Sequence, residues 1–144
     1  MSVMILGIGT DIVAPARFIR WQHYPLSRLK RVFSDDELAA ATVQGLLVSE
    51  KLAVRFAAKE AFYKALAAML VYLGKTHKPA SLLAVCKGVE VVNTTWQVPI
   101  LVVDWDYLQE LFACTLPLVR VDCSLAHEKE MVVAFVILSG GYAA

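Results

Sequence analysis

Residues 49–73 contain neither glycine nor proline, so the chain is committed there to one uninterrupted helix of about seven turns, around which everything else must pack. Leu52, Phe56, Ala57, Ala61 and Ala65 supply its apolar spacing. Charges are set into the same helix. Glu60 and Lys64 lie four residues apart and share a face, while Arg55 and Lys59 form a second such pair on an adjoining face. Taken alone, a Glu followed by a Lys at this spacing is a solvated ion pair contributing roughly 0.2–0.5 kcal/mol.

A second acidic residue lies near the N-terminus. The apolar run Val3-Met4-Ile5-Leu6 leads into Gly7-Ile8-Gly9-Thr10-Asp11-Ile12-Val13, which predicts a buried strand over about 3–9 with Asp11 at or just beyond its end. The glycines do not form a dinucleotide fingerprint, because a third glycine at the required spacing would fall on Ile12. Without other context, Asp11 reads as a turn or helix-cap residue.

Between these segments, residues 16–32 interleave Phe18, Ile19, Leu26, Leu29 and Val32 with Arg17, Arg20, Arg28, Lys30 and Arg31. Pro25 should divide them into two helical pieces. Ser34-Asp35-Asp36-Glu37 spells a capping box, so a helix starts there and is expected to end or bend at Gly45. After Gly74 the pattern turns to strands, over 89–92, 98–103, 119–124 and 131–138, with a helix over 104–114. Ala126-His127-Glu128-Lys129-Glu130 is expected as a hairpin loop or bulge, and Gly140-Gly141 as the start of a tail. The order predicts a single compact α+β domain over 1–144, a mostly antiparallel sheet packed on a long helix.

Composition limits the function classes. The 144 residues are 58% hydrophobic with a formal charge of +1, and the mean hydropathy is +0.59. No segment has the uninterrupted apolar length of about 20 residues that a bilayer span needs. The apolar excess is therefore expected on subunit interfaces. The charge balance gives no sign of nucleic-acid binding. The start lacks a basic leader and cleavage site. Cys86, Cys114 and Cys123 show no metal-ligand spacing and suit a reducing cytoplasm as small buried residues.

Together, Gly7-Ile8-Gly9-Thr10-Asp11-Ile12-Val13, Arg55-Phe56-Ala57-Ala58-Lys59-Glu60-Ala61-Phe62-Tyr63-Lys64-Ala65 and Ser124-Leu125-Ala126-His127-Glu128 closely resemble the holo-acyl-carrier-protein synthases. These are the small, trimeric branch of the 4′-phosphopantetheinyl transferases. The resemblance implies Mg²⁺-dependent transfer of phosphopantetheine from coenzyme A to a serine of apo acyl carrier protein, with release of adenosine 3′,5′-bisphosphate, in support of fatty acid biosynthesis. It implies Asp11 and Glu60 as the metal ligands, a sparse oxygen set of the kind Mg²⁺ accepts. Glu60 and Lys64 become the catalytic residues, with Glu60 activating the serine and Lys64 meeting phosphate oxygens. Arg55, Lys59, Lys64 and His127 become the coenzyme A-binding residues. The basic segment, through Arg17, Arg20, Arg28 and Arg31, becomes the docking face for the acidic carrier, and the clefts are expected between neighbours of a homotrimer.

The chain departs from the family pattern in three places. Leu66-Ala67-Ala68-Met69-Leu70 replaces a Gly-Thr-Gly turn and should extend the helix; Gln97-Val98-Pro99 stands where a Gly-Lys-Pro element is usual; Ala126 replaces a hydroxyl residue. Lys75 or Lys78 is available to take over a phosphate contact. Two other readings compete. One is a noncatalytic carrier-protein or coenzyme A binding protein on the same fold, which the lost glycine turn favours. The other is a nucleophilic enzyme built on Cys123 and His127, for which the spacing carries no specific motif.

Overall fold

The computed structural model describes residues 2–76 and 78–141. In chain order its elements are β1 (Val3–Val13), α1 (Leu26–Leu29), α2 (Asp35–Ala40), β2 (Thr42–Val43), β3 (Leu46–Leu47), α3 (Ser49–Tyr72), α4 (Leu82–Cys86), β4 (Val89–Asn93), β5 (Pro99–Val103), α5 (Trp105–Phe112), β6 (Arg120–Glu128) and β7 (Met131–Gly141). Two short 3₁₀ turns, Pro15–Phe18 and Arg20–His23, follow β1. The fold is α+β. An antiparallel sheet in the order β1-β7-β6 carries α3 across one face, and β4-β5 form a separate hairpin.

Strand alternation decides what meets the helix. A bulge between Ile5 and Gly7 resets the register of β1. From there Gly7, Gly9, Asp11 and Val13 face inward, while Ile8, Thr10 and Ile12 face out. On β7 the inward set is Val132, Ala134, Val136 and Leu138. The two glycines exist for proximity. A β-carbon at Gly7 would run into the carbonyl oxygen of Ala65, and one at Gly9 into that of Ala61, so their absence lets the backbone of α3 lie directly on β1.

Helix α3 buries 13 of its 24 residues, while Glu50, Lys51, Lys64, Ala67, Ala68, Val71 and Tyr72 stay exposed. Leu52, Phe62, Leu66 and Met69 are fully enclosed, each stabilising the fold by about 1.5–3 kcal/mol relative to exposure. The alanine-rich stretch extends the helix to Tyr72, as expected. It then stops in a Schellman arrangement, with Lys75 N donating to Leu70 O and Gly74 N to Val71 O, and Gly74 at φ 67°.

Several boundaries differ from the sequence expectations. β1 runs four residues beyond Gly9, so Asp11 is an interior strand residue opposite Ala134. Residues 16–32 form tight turns and the one-turn α1, pinned by an aromatic cluster of Phe18, Trp21 and Phe33 against Phe56. The capping box is present, with Ser34 and Glu37 bonded reciprocally. Its helix ends at Ala40, however, and Gln44-Gly45, both at positive φ, turn the β2–β3 hairpin instead. β6 continues through Glu128, so His127 sits on a strand opposite Val132. Gly140 and Gly141 belong to β7 rather than to a tail.

Candidate functional site

The close approach of β1 and α3 assembles a cluster of charge. Lys64 Nζ donates to Asp11 Oδ1 at 3.1 Å and to the Thr10 carbonyl at 3.0 Å. It stands 3.9 Å from Glu60 Oε1. Asp11 is buried, Glu60 half-buried and Lys64 exposed. The expected pairing of Glu60 with Lys64 on one face is thus present, and Asp11 joins it from the neighbouring strand. The other carboxylate oxygen, Asp11 Oδ2, is buried with no hydrogen-bond partner. A buried orphaned carboxylate oxygen is costly unless something positive or protic meets it.

That orphaned atom tests whether a divalent cation fits. Two carboxylates beside one lysine, one of them with a free buried oxygen, match a hard cation that keeps much of its water shell. Among the described residues no group of three or more His, Cys, Asp or Glu side chains gathers into a denser cage.

A second constellation lies toward the N-terminal end of α3. A cleft of ≈ 380 Å³ is lined by Lys51, Arg55, Asn93, Gln97 and His127, among others. Arg55 is buried, donates through Nη1 to Lys51 O at 2.9 Å, and leaves Nε buried without a partner. Burial lowers its pKa from the ordinary arginine value, with the distant Glu37 carboxylate opposing the shift. A guanidinium with unspent donors on the wall of a cleft is a ready anion partner. His127 Nδ1 stands 2.8 Å from Glu50 Oε1 at the rim. Neither Lys51 nor Glu50 is among the site residues expected from the sequence. Lys51 was legible as the residue one turn before Arg55, whereas the Glu50–His127 pairing spans the chain and leaves no local mark. Asp11, Glu60 and Lys64 do not line this cleft.

Lys59 corrects an expectation. Predicted at a coenzyme A phosphate, it is only 1% exposed and is consumed inside the protein. Its Nζ stands 2.6 Å from Glu37 Oε1 and donates to Val32 O at 2.7 Å and Cys86 O at 3.2 Å. Glu37 is equally occupied: Oε1 also accepts from Ser34 N at 2.9 Å and Oε2 from Val91 N at 3.1 Å. All three ammonium protons have acceptors, so no donor remains for a ligand.

Arg17, Arg20, Arg28, Lys30 and Arg31 are all exposed. Arg28 stacks over Tyr24 at 3.8 Å and Arg17 lies 5.1 Å from the Phe56 ring, while Lys30 pairs with Asp35. His23 is exposed on a 3₁₀ turn and joins neither constellation; His77 lies outside the described residues. Lys75 and Lys78 border a small cleft of ≈ 140 Å³ with Tyr63, Leu70 and Phe112.

The Cys123/His127 pairing fails on geometry and protonation. Four residues along one strand are about 13 Å apart, and burial pushes the Cys123 thiol up to about 11. Cys86 is buried as expected, whereas Cys114 and Cys123 are half-buried.

Comparison with known proteins gives a consistent picture. The family model described as the 4′-phosphopantetheinyl transferase superfamily matches residues 7–117. A holo-(acyl-carrier-protein) synthase of Treponema pallidum is 34% identical over 137 residues, covering 95% of this chain and 98% of that protein. The crystal structure of a holo-(acyl-carrier-protein) synthase from Bacillus anthracis, in complex with CoA (3′,5′-ADP), matches at TM-score 0.65 with 29% identity, over 96% of this chain and 99% of that one. A Chronobacterium ammoniagenes ACPS–CoA complex matches at TM-score 0.70 with 27% identity, over 96% and 97%.

Proposed function

The chain belongs to the 4′-phosphopantetheinyl transferase superfamily, and from that premise we propose that Asp11, Glu60 and Lys64 form its reaction centre. It is a holo-(acyl-carrier-protein) synthase, transferring phosphopantetheine from coenzyme A to a serine of apo acyl carrier protein. In that transfer the serine Oγ–phosphorus bond forms, the phosphorus–oxygen bond to adenosine 3′,5′-bisphosphate breaks, and the serine proton must be taken up. The observation that carries the assignment is the buried, unpartnered Asp11 Oδ2 beside a second carboxylate and a lysine.

Asp11 and Glu60 are the residues that would hold Mg²⁺, which when bound supplies charge neutralisation for a densely anionic diphosphate. Glu60, half-buried and so still reachable from solvent, is also available to receive the serine proton. Lys64 brings a flexible point charge to phosphate oxygens as negative charge builds on the leaving group. Arg55, with its unspent Nε, and His127 bind the remaining anionic groups of coenzyme A, and Lys51 joins them from the same cleft.

Arg55 stands five residues from Glu60 on α3, about 7.5 Å along its axis, a separation that one extended coenzyme A bridges, and a neighbouring subunit would complete the cleft. The outer sheet face supports a homotrimer. Ile8, Ile12, Val133 and Phe135 form an exposed apolar surface, with Ile12 61% and Phe135 40% accessible. Arg17, Arg20, Arg28 and Arg31 receive the acidic carrier protein. Among the described residues no helix is long and apolar enough to cross a membrane, and the free thiols suit a reducing cytoplasm, where fatty acid biosynthesis would use the product.

The test is mass spectrometry of apo acyl carrier protein incubated with coenzyme A and the protein, with Mg²⁺ or with a chelator. A gain of one phosphopantetheine group in the Mg²⁺ reaction alone is the expected result. Tight binding of both substrates without any mass gain would establish the noncatalytic reading instead.

A further inference from the structure

Lys64 is held on the very carboxylates that the reaction centre offers to a cation. Its ammonium takes Asp11 Oδ1 at 3.1 Å and the Thr10 carbonyl at 3.0 Å, and leans toward Glu60 Oε1 at 3.9 Å. One positive charge thereby serves two negative ones, each of which would otherwise repel the other across a confined site. Only the Glu60 contact is built into the helix, as an i,i+4 neighbour. The Asp11 contact exists because Gly7 and Gly9 bring the strand against the helix. The lysine side chain is nevertheless 47% exposed, so its head has open space to move into while the carboxylate stays buried.

We propose that Lys64 is a resident counter-ion that vacates the Asp11–Glu60 pair only when a diphosphate arrives to receive it, coupling divalent-cation binding to coenzyme A binding. The inference rests on Asp11 and Glu60 being the cation ligands. The physical argument is one of competition. A divalent cation on either oxygen of Asp11 would lie within short Coulombic range of an ammonium bonded to the same carboxylate, so cation alone binds against the ammonium's repulsion and the loss of its hydrogen bonds. A diphosphate removes that penalty, because the displaced ammonium finds new acceptors of opposite charge. Linkage then requires the effect to be mutual: the cation must raise affinity for coenzyme A by the same factor by which coenzyme A raises affinity for the cation. The device would keep the centre partly neutralised, and its carboxylates apart from stray cations, until substrate is present.

The experiment titrates Mn²⁺, as a paramagnetic stand-in for Mg²⁺, into the full-length protein, and reads free Mn²⁺ by electron paramagnetic resonance, first without and then with saturating coenzyme A. No carrier protein is present, so nothing turns over. Lys64→Met should bind Mn²⁺ about tenfold more tightly than the wild type when coenzyme A is absent, a factor equal to about 1.4 kcal/mol. Coenzyme A should tighten Mn²⁺ binding in the wild type by about tenfold more than it does in Lys64→Met. Lys64→Arg, which keeps the charge, should behave like the wild type without coenzyme A. Equal or weaker Mn²⁺ binding by Lys64→Met, or an equal coenzyme A enhancement in both proteins, overturns the counter-ion role while leaving the cation site standing. Unchanged Mn²⁺ binding in Asp11→Asn overturns the ligand assignment itself, and this inference with it.

Discussion

Replacing Lys59 with methionine should cost stability rather than cofactor affinity. Methionine matches the length of the lysine stem, so little cavity is left; what is lost is the charge. Glu37, fully enclosed, would keep hydrogen bonds from Ser34 N and Val91 N but lose its counter-ion, and the carbonyls of Val32 and Cys86 would lose a donor. Removing one partner of a buried pair typically costs about 3–5 kcal/mol. Domains of this kind are stable by about 5–15 kcal/mol, so the variant should fold but sit near its limit. With a urea slope of about 2 kcal/mol per M, the midpoint should fall by about 2 M. The assay is urea unfolding followed by tryptophan fluorescence at fixed protein concentration, since assembly adds to apparent stability. The double variant Lys59→Met with Glu37→Gln should recover part of the loss, because it removes the stranded charge. A midpoint within about 0.5 M of the wild type, with a raised KM for coenzyme A, would refute this reasoning and return Lys59 to the cofactor site.

Other outcomes follow from the same geometry. Arg55→Met should raise the KM for coenzyme A by about tenfold to a hundredfold, the worth of one or two charge-assisted hydrogen bonds, with little change in the KM for carrier protein; steady-state kinetics reads both. Phe135→Glu places a charge in the outer apolar face and should lower the mass seen by light scattering from three chains toward one, with activity falling in parallel. Arg20→Glu should raise the KM for carrier protein far more than that for coenzyme A and flatten the salt dependence of carrier association, because exposed charges act over about 8 Å at physiological ionic strength.

The long helix, its extension past Leu66 and the capping box at Ser34 were legible because each is written in local spacing. Burial of the charges on that helix was not. Arg55 and Lys59 are spaced as helix-surface charges, and only the packing of other segments on α3, Glu37, Val32 and Cys86 around Lys59 and the cleft wall around Arg55, takes them out of solvent. Glu37 was readable as half of a capping box, but its partnership with a lysine 22 positions away in the chain leaves no periodic trace. Asp11 is expected at or just beyond the end of its strand because flanking glycines suggest a turn. Their alternation instead marks the strand face on which a helix backbone lies. The polar run around His127 similarly suggested a loop, though an edge strand tolerates polar residues where its face meets solvent. The resemblance joined Asp11 to Glu60 only; the ion pair of Asp11 with Lys64 left no mark in the sequence, since residues 53 positions apart meet by topology alone.

The central claim is that Asp11, set against Glu60 and Lys64 by the glycine contact, is indispensable to transfer. The direct measurement is single-turnover phosphopantetheine transfer by Asp11→Asn at saturating coenzyme A, carrier protein and Mg²⁺, with light scattering confirming the same assembly as the wild type. Asparagine keeps the shape and removes the charge. The rate should be at least about a hundredfold lower, equivalent to about 2.7 kcal/mol of lost transition-state stabilisation. A rate within about threefold of the wild type would contradict it.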